Sequence, residues 1–470
     1  MKIEQIYTGC LAQGAYYILS GKEAVVIDPL RETGPYLSRA EADGARIKYV
    51  LETHFHADFV SGHVDLAAKS GATIVYGPTA KPAFAAHIAA DGEELKVGEI
   101  TIKVLHTPGH TTESVTYLLR DEQGKDTALF TGDTLFLGDV GRPDLAQKAA
   151  NMTQEELAGM LYDSIRNKIM PLADDITVYP AHGAGSACGK NMMKETVDTL
   201  GNQKKVNYAL RSTMTRDEFI HELTHDLLPA PAYFPENVRL NREGYESIDS
   251  VMKRASQSLS PEAFEAAANE SEALVLDTRG AQEFAAGFIP NSINIGLEGS
   301  FAPWVGALVP GVNHPLLLIT PEGREMETVT RLARVGYSNV LGYLAGGIRS
   351  WQAAGKELDV ITSISADVFS ERFAGGKLRV IDVRKPGEFS AEHVDGAVNV
   401  PLDFLNDRMT EVPTDGDAYV YCAGGYRSMI ALSILRARGW NNLIDVQGGF
   451  KAIAGTSVPR TDFVCASTKK

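Results

Sequence analysis

The chain contains no long hydrophobic run. Nowhere do apolar residues continue for the roughly 18 positions that a membrane-spanning helix needs, and the first ten residues, MKIEQIYTGC, hold no apolar signal core. A cytoplasmic protein with no membrane partner is therefore expected. Positive charge is also in short supply: 45 Lys and Arg stand against 60 Asp and Glu, a formal net charge of −15. Phosphate backbones and anionic lipid surfaces are bound by clustered cations, so nucleic acid is not an expected partner either. Cysteine is scarce. Cys10, Cys188, Cys422 and Cys465 lie far apart and form no CxxC pair, which excludes a disulfide framework and a zinc ribbon. In a reducing compartment, isolated cysteines of this kind leave room for a working thiol.

At 470 residues the chain is long enough for roughly three domains, and its 44% hydrophobic content supplies their cores. Ile3 to Ser20 and Ala24 to Pro29 are expected as short strands broken at Gly21-Lys22, Tyr36 to Ala42 as a helix, and Ile47 to Leu51 as a buried strand. Val60 to Ser70 has a helical pattern stopped by Gly71. Thr73 to Tyr76, Ile100 to Leu105, Ser114 to Leu119, Ala128 to Phe130 and Ile176 to Tyr179 read as further strands. Four of these strands run into loops rich in metal-ligand side chains: THFHADFVSGH, HTPGHT, TGDTLF and PAHG. His54, His56, Asp58, His110, Asp133 and His182 are the candidate ligands, because imidazoles and carboxylates at strand ends have a rigid support. His106 is expected to be structural and His87 to be a solvated helix residue.

The order and spacing of these loops resemble the metallo-β-lactamase superfamily over roughly residues 1–245. The resemblance implies an αββα sandwich with metal at one edge of its two sheets. Dinuclear hydrolases of that superfamily, such as glyoxalase II-type thioesterases, carry HxHxDH; here Phe59 stands at the sixth position. A phenyl ring offers no lone pair, so a second metal would lack a ligand. Two His and one carboxylate with open positions suit mononuclear non-haem Fe(II) and O₂, the pattern of the persulfide dioxygenase branch. That resemblance places the iron ligands on His54, His110 and Asp133. His56, Asp58 and His182 then orient ligands or water, or serve as further ligands. It also implies that Arg142, in LGDVGRPD (137–144), binds the carboxylate of a thiol substrate, as a guanidinium fork can; a plain salt bridge is the alternative. Tyr233, in the Pro-rich aromatic stretch 228–245, is expected on a pocket wall or in a packed connector. Cys188 reads as a small core residue.

Residues 247–260 shift to Ser, Lys and Gln and read as a linker or short helix. Beyond them the sequence repeats. LVLDTRGAQEFAAGFIPNSINI (274–295) and LRVIDVRKPGEFSAEHVDGAVNV (378–400) share D-x-R-x-x-x-E-F, and YLAGGIRSW (343–351) answers DVQGGFKAI (445–453). Strands alternating with helices imply two α/β units with parallel sheets. They resemble the rhodanese family of sulfurtransferases, over 255–360 and 365–462. In the second copy the strand Ala418 to Tyr421 delivers Cys422 into CAGGYRS. Glycines at a helix N-terminus turn N–H groups inward and the helix dipole adds positive potential. Both stabilise a thiolate and cradle a persulfide or sulfonyl oxygen. Cys422 is the candidate nucleophile and Arg427 a fixed cation, with Ala423, Gly424, Gly425 and Tyr426 lining the loop. Six residues from Cys422 to Arg427 match the rhodanese loop; the related phosphatases use one more. In the first copy Thr320 stands opposite Cys422, with Glu322 beside it, so residues 255–360 are expected to form a catalytically dead unit. Cys465, in the C-terminal tail, is expected to be idle.

Taken together, the resemblance implies a persulfide dioxygenase–rhodanese fusion. Such a protein holds one Fe(II) per chain, with zinc as the alternative, and oxidises a low-molecular-weight thiol persulfide with O₂ to sulfite and thiol. Cys422 takes sulfur from thiosulfate or hands it to sulfite, and the whole clears sulfide-derived sulfur. A homo-oligomer is expected. The competing readings are a dinuclear zinc thioester hydrolase fused to a sulfurtransferase, and a sulfur carrier without oxidative chemistry. Nothing in the residues chooses between glutathione, coenzyme A and another thiol.

Overall fold

The computed structural model describes residues 1–227 and 229–463; Cys465 lies outside the described residues. It divides into two compact units, Met1–Ser250 with Leu332–Gly336, and Val251–Arg331 with the described residues from Tyr337 onward.

The first unit is built on two six-stranded sheets. One contains β1 (Lys2–Thr8), β2 (Gln13–Ser20), β3 (Glu23–Ile27), β4 (Arg46–Leu51), β5 (Thr73–Tyr76) and β6 (His87–Ile88) in chain order. The other contains β7 (Glu94–Val97), β8 (Ile100–His106), β9 (Val115–Arg120), β10 (Asp126–Gly132), β11 (Thr177–Pro180) and β12 (Asp198–Thr199), again in chain order. Tyr16, Ile18, Val25 and Leu51 of the first sheet meet Ile102, Val104, Tyr117 and Phe130 of the second in one core. The outer faces are covered too. Tyr36 and Leu66 from the helices Gly34–Ala42 and His63–Ser70 pack on the first sheet. Ala158, Leu161 and Phe219 from the helices Gln154–Ser164 and Arg216–Thr224 pack on the second. With both faces covered, β2 is buried along almost its whole length and reads as a continuous apolar run rather than an alternating one. The αββα expectation holds.

Local details differ from the sequence reading. The turn Gly9–Ala12 splits the run from Ile3 into two antiparallel strands. The second helix starts at His63, not Val60, because Val60 to Gly62 belong to the ligand loop: Ser61 Oγ and the Gly62 N–H both donate to the Pro29 carbonyl, each at 2.9 Å. His87 lies on the short strand β6 rather than a helix, 2.5 Å from Glu93.

The second unit contains two five-stranded parallel sheets. The strands are β13 (Ser258–Leu259), β14 (Leu274–Asp277), β15 (Ile293–Asn294), β16 (Leu316–Ile319) and β17 (Val340–Leu344), then β18 (Ser363–Ile364), β19 (Arg379–Asp382), β20 (Val398–Asn399), β21 (Ala418–Tyr421) and β22 (Leu443–Val446). Their orders are β13-β17-β16-β14-β15 and β18-β22-β21-β19-β20, the same topology twice. The repeated D-x-R-x-x-x-E motif is structural. Asp277 and Asp382 close each strand end by pairing with Arg279 and Arg384, at 2.6 Å in both copies. Glu283 and Glu388 then cap the following helices by accepting from the N–H of Gly280 and Lys385.

Candidate metal centre and thiol loop

β4, β8, β10 and β11 end on the same edge of the sandwich, and the loops that follow bring His54, His110, Asp133 and His182 together. His54, His110 and Asp133 form one buried group whose ligand atoms all lie within 4.8 Å of one another. Asp133 Oδ2 is 3.4 Å from His110 Nε2 and 3.9 Å from His54 Nε2.

The hydrogen bonds behind these side chains fix which nitrogen each imidazole presents. Thr53 Oγ1 donates to Asp28 Oδ2 at 2.8 Å. It must therefore accept from His54 Nδ1, 3.0 Å away, leaving the Nε2 lone pair facing Asp133. His110 Nδ1 donates to the Arg142 carbonyl at 2.8 Å, with the same result. Asp133 Oδ1 accepts from His182 Nδ1 at 2.8 Å. Its Oδ2 is buried and has no hydrogen-bond partner among the described residues. A carboxylate oxygen left bare in the interior opposite two imidazole lone pairs costs free energy unless a cation satisfies all three. The donor set of two nitrogens and one oxygen fits a divalent metal.

Electrostatics agree. Burial opposes ionisation of Asp133, but His182, His54 and His110 outweigh it and hold the carboxyl well below the usual carboxylate range. Burial and then His56 push His54 well below an ordinary histidine, so its lone pair is available. Burial also disfavours a charge on His182, yet Asp133 and Asp58 on either side hold its pKa well above normal.

The remaining candidate ligands lie around this group. Asp58 Oδ2 is 2.8 Å from His182 Nε2, and Asp58, His182 and Cys188 form a second buried group with ligand spacing. Burial, then Asp58 and Asp133, push the Cys188 thiol well up. His56 turns away from Asp133 towards Asp28 and Glu52, with Nε2 at 3.0 and 3.5 Å, in a third group. Burial and the charge of Asp28 hold the Glu52 carboxyl well above its normal range. Phe59 is fully buried, its ring centroid 4.3 Å from that of His56. It fills with hydrocarbon the space beside His56 and His182.

Gly141 lets the loop carrying Arg142 approach: a Cβ there would lie 2.1 Å from the Asp133 carbonyl oxygen and 3.0 Å from His110 Nδ1. The Arg142 side chain is buried and forks onto Asp144 with two 2.7 Å hydrogen bonds. Tyr233 is buried, and its hydroxyl donates to the Asp58 carbonyl at 3.3 Å. His106 donates to or accepts from nothing in the metal group; its Nε2 meets the Thr112 carbonyl at 2.9 Å. Asp28, Thr53 and Glu52 were not apparent as site residues in the sequence. Asp28 adopts a left-handed φ of 48°, a strained setting common at functional sites, but one that no local pattern announces.

In the second unit Cys422 follows β21 and is fully buried. The N–H of Gly425, itself at φ 97°, points at its sulfur from 3.1 Å. The repeated Gly-Gly anchor explains itself here: a Cβ on Gly449 would stand 2.3 Å from the Cys422 carbonyl oxygen, and the Lys451 N–H ties the Ala423 carbonyl at 3.1 Å. Arg427 sits just inside the helix Tyr426–Ala437 and forks onto Glu388 at 2.6 and 2.8 Å. Tyr426 corrects the sequence expectation for its side chain. Its hydroxyl leaves the loop and donates to the Gly296 carbonyl of the first copy at 2.7 Å. In that first copy Thr320 follows β16 as Cys422 follows β21, and Glu325 occupies the place of Arg427, a reversal of charge.

Comparison with known proteins matches this geometry. Residues 8–182 match the Metallo-beta-lactamase superfamily, and residues 260–354 and 365–456 match the Rhodanese-like domain. The chain is 31% identical over 224 residues to persulfide dioxygenase ETHE1, mitochondrial, of Homo sapiens, spanning 46% of this chain and 79% of that protein. It is 33% identical over 180 residues to the hydroxyacylglutathione hydrolase of Bradyrhizobium sp. (strain ORS 278), spanning 37% of this chain and 64% of that protein. A solved metallo-beta-lactamase from Staphylococcus aureus subsp. aureus COL is 31% identical with a TM-score of 0.64, covering 73% of this chain and 98% of that one. With its metal-ligand loops on one sandwich edge and its sequence repeat carried by two parallel sheets, the chain belongs to the metallo-β-lactamase superfamily, as an ETHE1-like domain followed by two rhodanese-like domains.

Proposed function

We propose that the first unit is a mononuclear Fe(II) persulfide dioxygenase and that the second transfers sulfur through Cys422. The observation that carries the first part is the bare Asp133 Oδ2 facing two imidazole lone pairs, with Phe59 beside His56 where another imidazole would serve a second metal. His54, His110 and Asp133 would hold the metal. Iron(II) bound there supplies a redox centre able to bind a sulfur ligand and activate dioxygen. The protein groups do the rest. Thr53 and the Arg142 carbonyl keep both imidazoles in the ligating tautomer, and His182 holds Asp133 by its other oxygen. Arg142 offers a guanidinium to a substrate carboxylate in exchange for part of its pairing with Asp144. The balanced reaction is RSSH + O₂ + H₂O → RSH + SO₃²⁻ + 2H⁺.

In the second unit the Gly425 N–H and the adjacent helix N-terminus stabilise negative charge on Cys422 sulfur. Thiolate attack on the outer sulfur of thiosulfate forms a persulfide and releases sulfite with the electron pair of the broken S–S bond.

An oxygen electrode with a glutathione persulfide, run alongside iron and zinc quantitation, tests the oxidative half. The expected result is persulfide-dependent O₂ uptake scaling with one iron per chain. The group Asp58, His182 and Cys188 favours a second reading, a two-zinc thioester hydrolase. Two zinc ions per chain with cleavage of S-lactoylglutathione and no O₂ uptake would replace the dioxygenase proposal with that one.

A further inference from the structure

We propose that the copy without a thiol is a positioning scaffold for the Cys422 loop, acting through Tyr426 seated on Gly296 and Gly299. The inference rests on the reading of Cys422 as the sulfur carrier.

The helix Tyr426–Ala437 is buried at every position from Ser428 to Leu435. A helix lying on a single sheet keeps a polar stripe for solvent; this one has none because it is covered twice. Its own sheet lies on one side and the first copy supplies the other contacts. The Asn294 N–H donates to Ser433 Oγ at 2.9 Å. Gln282 Nε2 donates to Asp445 Oδ2 at 3.0 Å, and the other oxygen of Asp445 accepts from Ser428 Oγ at 3.1 Å. Tyr426 completes the set at the end of the helix nearest the sulfur.

The seat for Tyr426 is built from glycine. A Cβ on Gly299 would lie 3.0 Å from Tyr426 Cζ, at a φ of +129°, and a Cβ on Gly296 would lie 3.3 Å from Cε2. The two copies can be superposed in sequence through Asn294 and Asn399. Each donates to the same pair of carbonyls, those of Asp277 and Arg279 or of Asp382 and Arg384. In that register Pro401 and Phe404 of the second copy stand where the first has Gly296 and Gly299. Conversely, the first copy has Arg324 where the second has Tyr426. Each copy has departed from the repeat where the other needs it to: one opened a seat, the other grew a ring.

The consequence reaches the sulfur through one residue. Tyr426 follows Gly425, whose N–H lies 3.1 Å from Cys422 Sγ. Fixing Tyr426 fixes the direction of that donor. In transfer, Cys422 sulfur attacks thiosulfate and sulfite departs. An acceptor then attacks the outer persulfide sulfur, and the electron pair of the S–S bond returns to Cys422. Both steps change the charge on the atom the N–H faces, so misdirecting it slows turnover without altering where donor or acceptor bind. Tyr426 is thus a positioning residue.

The test uses the full chain with thiosulfate as donor and cyanide as acceptor. Tyr426→Phe removes only the hydroxyl bound to Gly296. The expected outcome is kcat lowered roughly three- to tenfold, the worth of one hydrogen bond, with the KM for thiosulfate unchanged. Alkylation of Cys422 by iodoacetamide should slow by a similar factor, while the melting temperature stays near wild type. Gly299→Val, which intrudes on the ring, should give the same kcat loss if its circular dichroism and melting show a folded chain. If it does not fold, Tyr426→Phe alone decides. Wild-type kcat and alkylation rate in Tyr426→Phe would overturn the proposal, as would a change confined to KM. Retention of transferase activity by Cys422→Ser is a separate outcome, which removes the sulfur-carrier reading itself.

Discussion

Thr53 decides how His54 is presented, by donating to Asp28 and accepting from Nδ1. Outer partners of this kind typically govern metal affinity by one to two orders of magnitude. Thr53→Val keeps the shape and removes the hydroxyl, so iron affinity should fall roughly 10- to 100-fold, read by competition with a chromophoric chelator. Phe59 acts by what it lacks. Its ring is fully buried against His56, and Asp58 and His182 are already in place beside it. Phe59→His should raise zinc bound by the reloaded protein from one towards about two ions per chain, since an added imidazole completes a nitrogen–oxygen set. Unchanged zinc stoichiometry would show that the second position is closed for another reason. Residue identities of this sort were the most legible part of the sequence: His54, His110, Asp133 and His182 stand at strand ends in four short motifs. Asp28 and Glu52 were not, because a single carboxylate at the end of an apolar strand looks like any other.

The helix Phe234–Glu243 illustrates why elements were harder to read than ligands. Its sequence has one proline, Pro235, at the start and is mixed thereafter, and nothing local says that Asn241 is its working residue. In the fold Asn241 is buried. Its Nδ2 donates to the carbonyls of His56 and Phe59 and its Oδ1 accepts from the Ser61 N–H, each at 2.8 Å. Three hydrogen bonds from one side chain thus clamp the ligand loop from about 180 residues away in sequence, a separation that no periodicity encodes. Asn241→Ala would leave one buried donor and two buried acceptors bare, at a cost of about 2–4 kcal/mol, seen as a lower melting temperature together with weaker iron binding. Asn241→Asp keeps the Ser61 acceptor but turns a carboxylate oxygen onto the two carbonyls in a buried site, so it should lose at least as much. A second element-scale effect concerns acid. His63 opens the helix His63–Ser70, fully buried, with Nδ1 3.6 Å from Glu52 Oε1. Burial first, then the charges of Arg31 and His56, push it down to about 3 from an ordinary 6.5. The unfolded chain takes up this proton below about pH 6.5 and the folded chain does not, so stability is full above that pH and falls as pH drops towards 3. By pH 5 this group should account for about 2 kcal/mol of lost stability. His63→Phe, between the rings of Phe84 and Tyr245, should flatten the dependence of the unfolding midpoint between pH 7 and 5. An unaltered slope would assign the acid limb to other groups.

At the scale of the whole molecule the question is what two sulfur chemistries on one chain accomplish together. The domain succession was legible because each part carries motifs at fixed offsets, the four ligand loops and the doubled D-x-R-x-x-x-E-F. The layering of the sheets was implied only by the resemblance, since strand order depends on contacts between distant segments. The product of the proposed oxidation, sulfite, is a nucleophile that can accept sulfur from a Cys422 persulfide. Persulfide supplied alone should then pass in part to the metal centre, giving sulfite, and in part to Cys422, which hands its outer sulfur to that sulfite. The sum is 2RSSH + O₂ + H₂O → 2RSH + S₂O₃²⁻ + 2H⁺. Ion chromatography of the reaction should show thiosulfate from the wild-type chain, and from Cys422→Ser only sulfite, one per O₂ consumed. His54→Ala should form neither product from persulfide while still making thiocyanate from thiosulfate and cyanide, since its thiol loop is untouched. Thiosulfate from Cys422→Ser at the wild-type rate would mean that sulfite meets its sulfur somewhere other than on this thiol, and the two chemistries would then share a chain without sharing an intermediate.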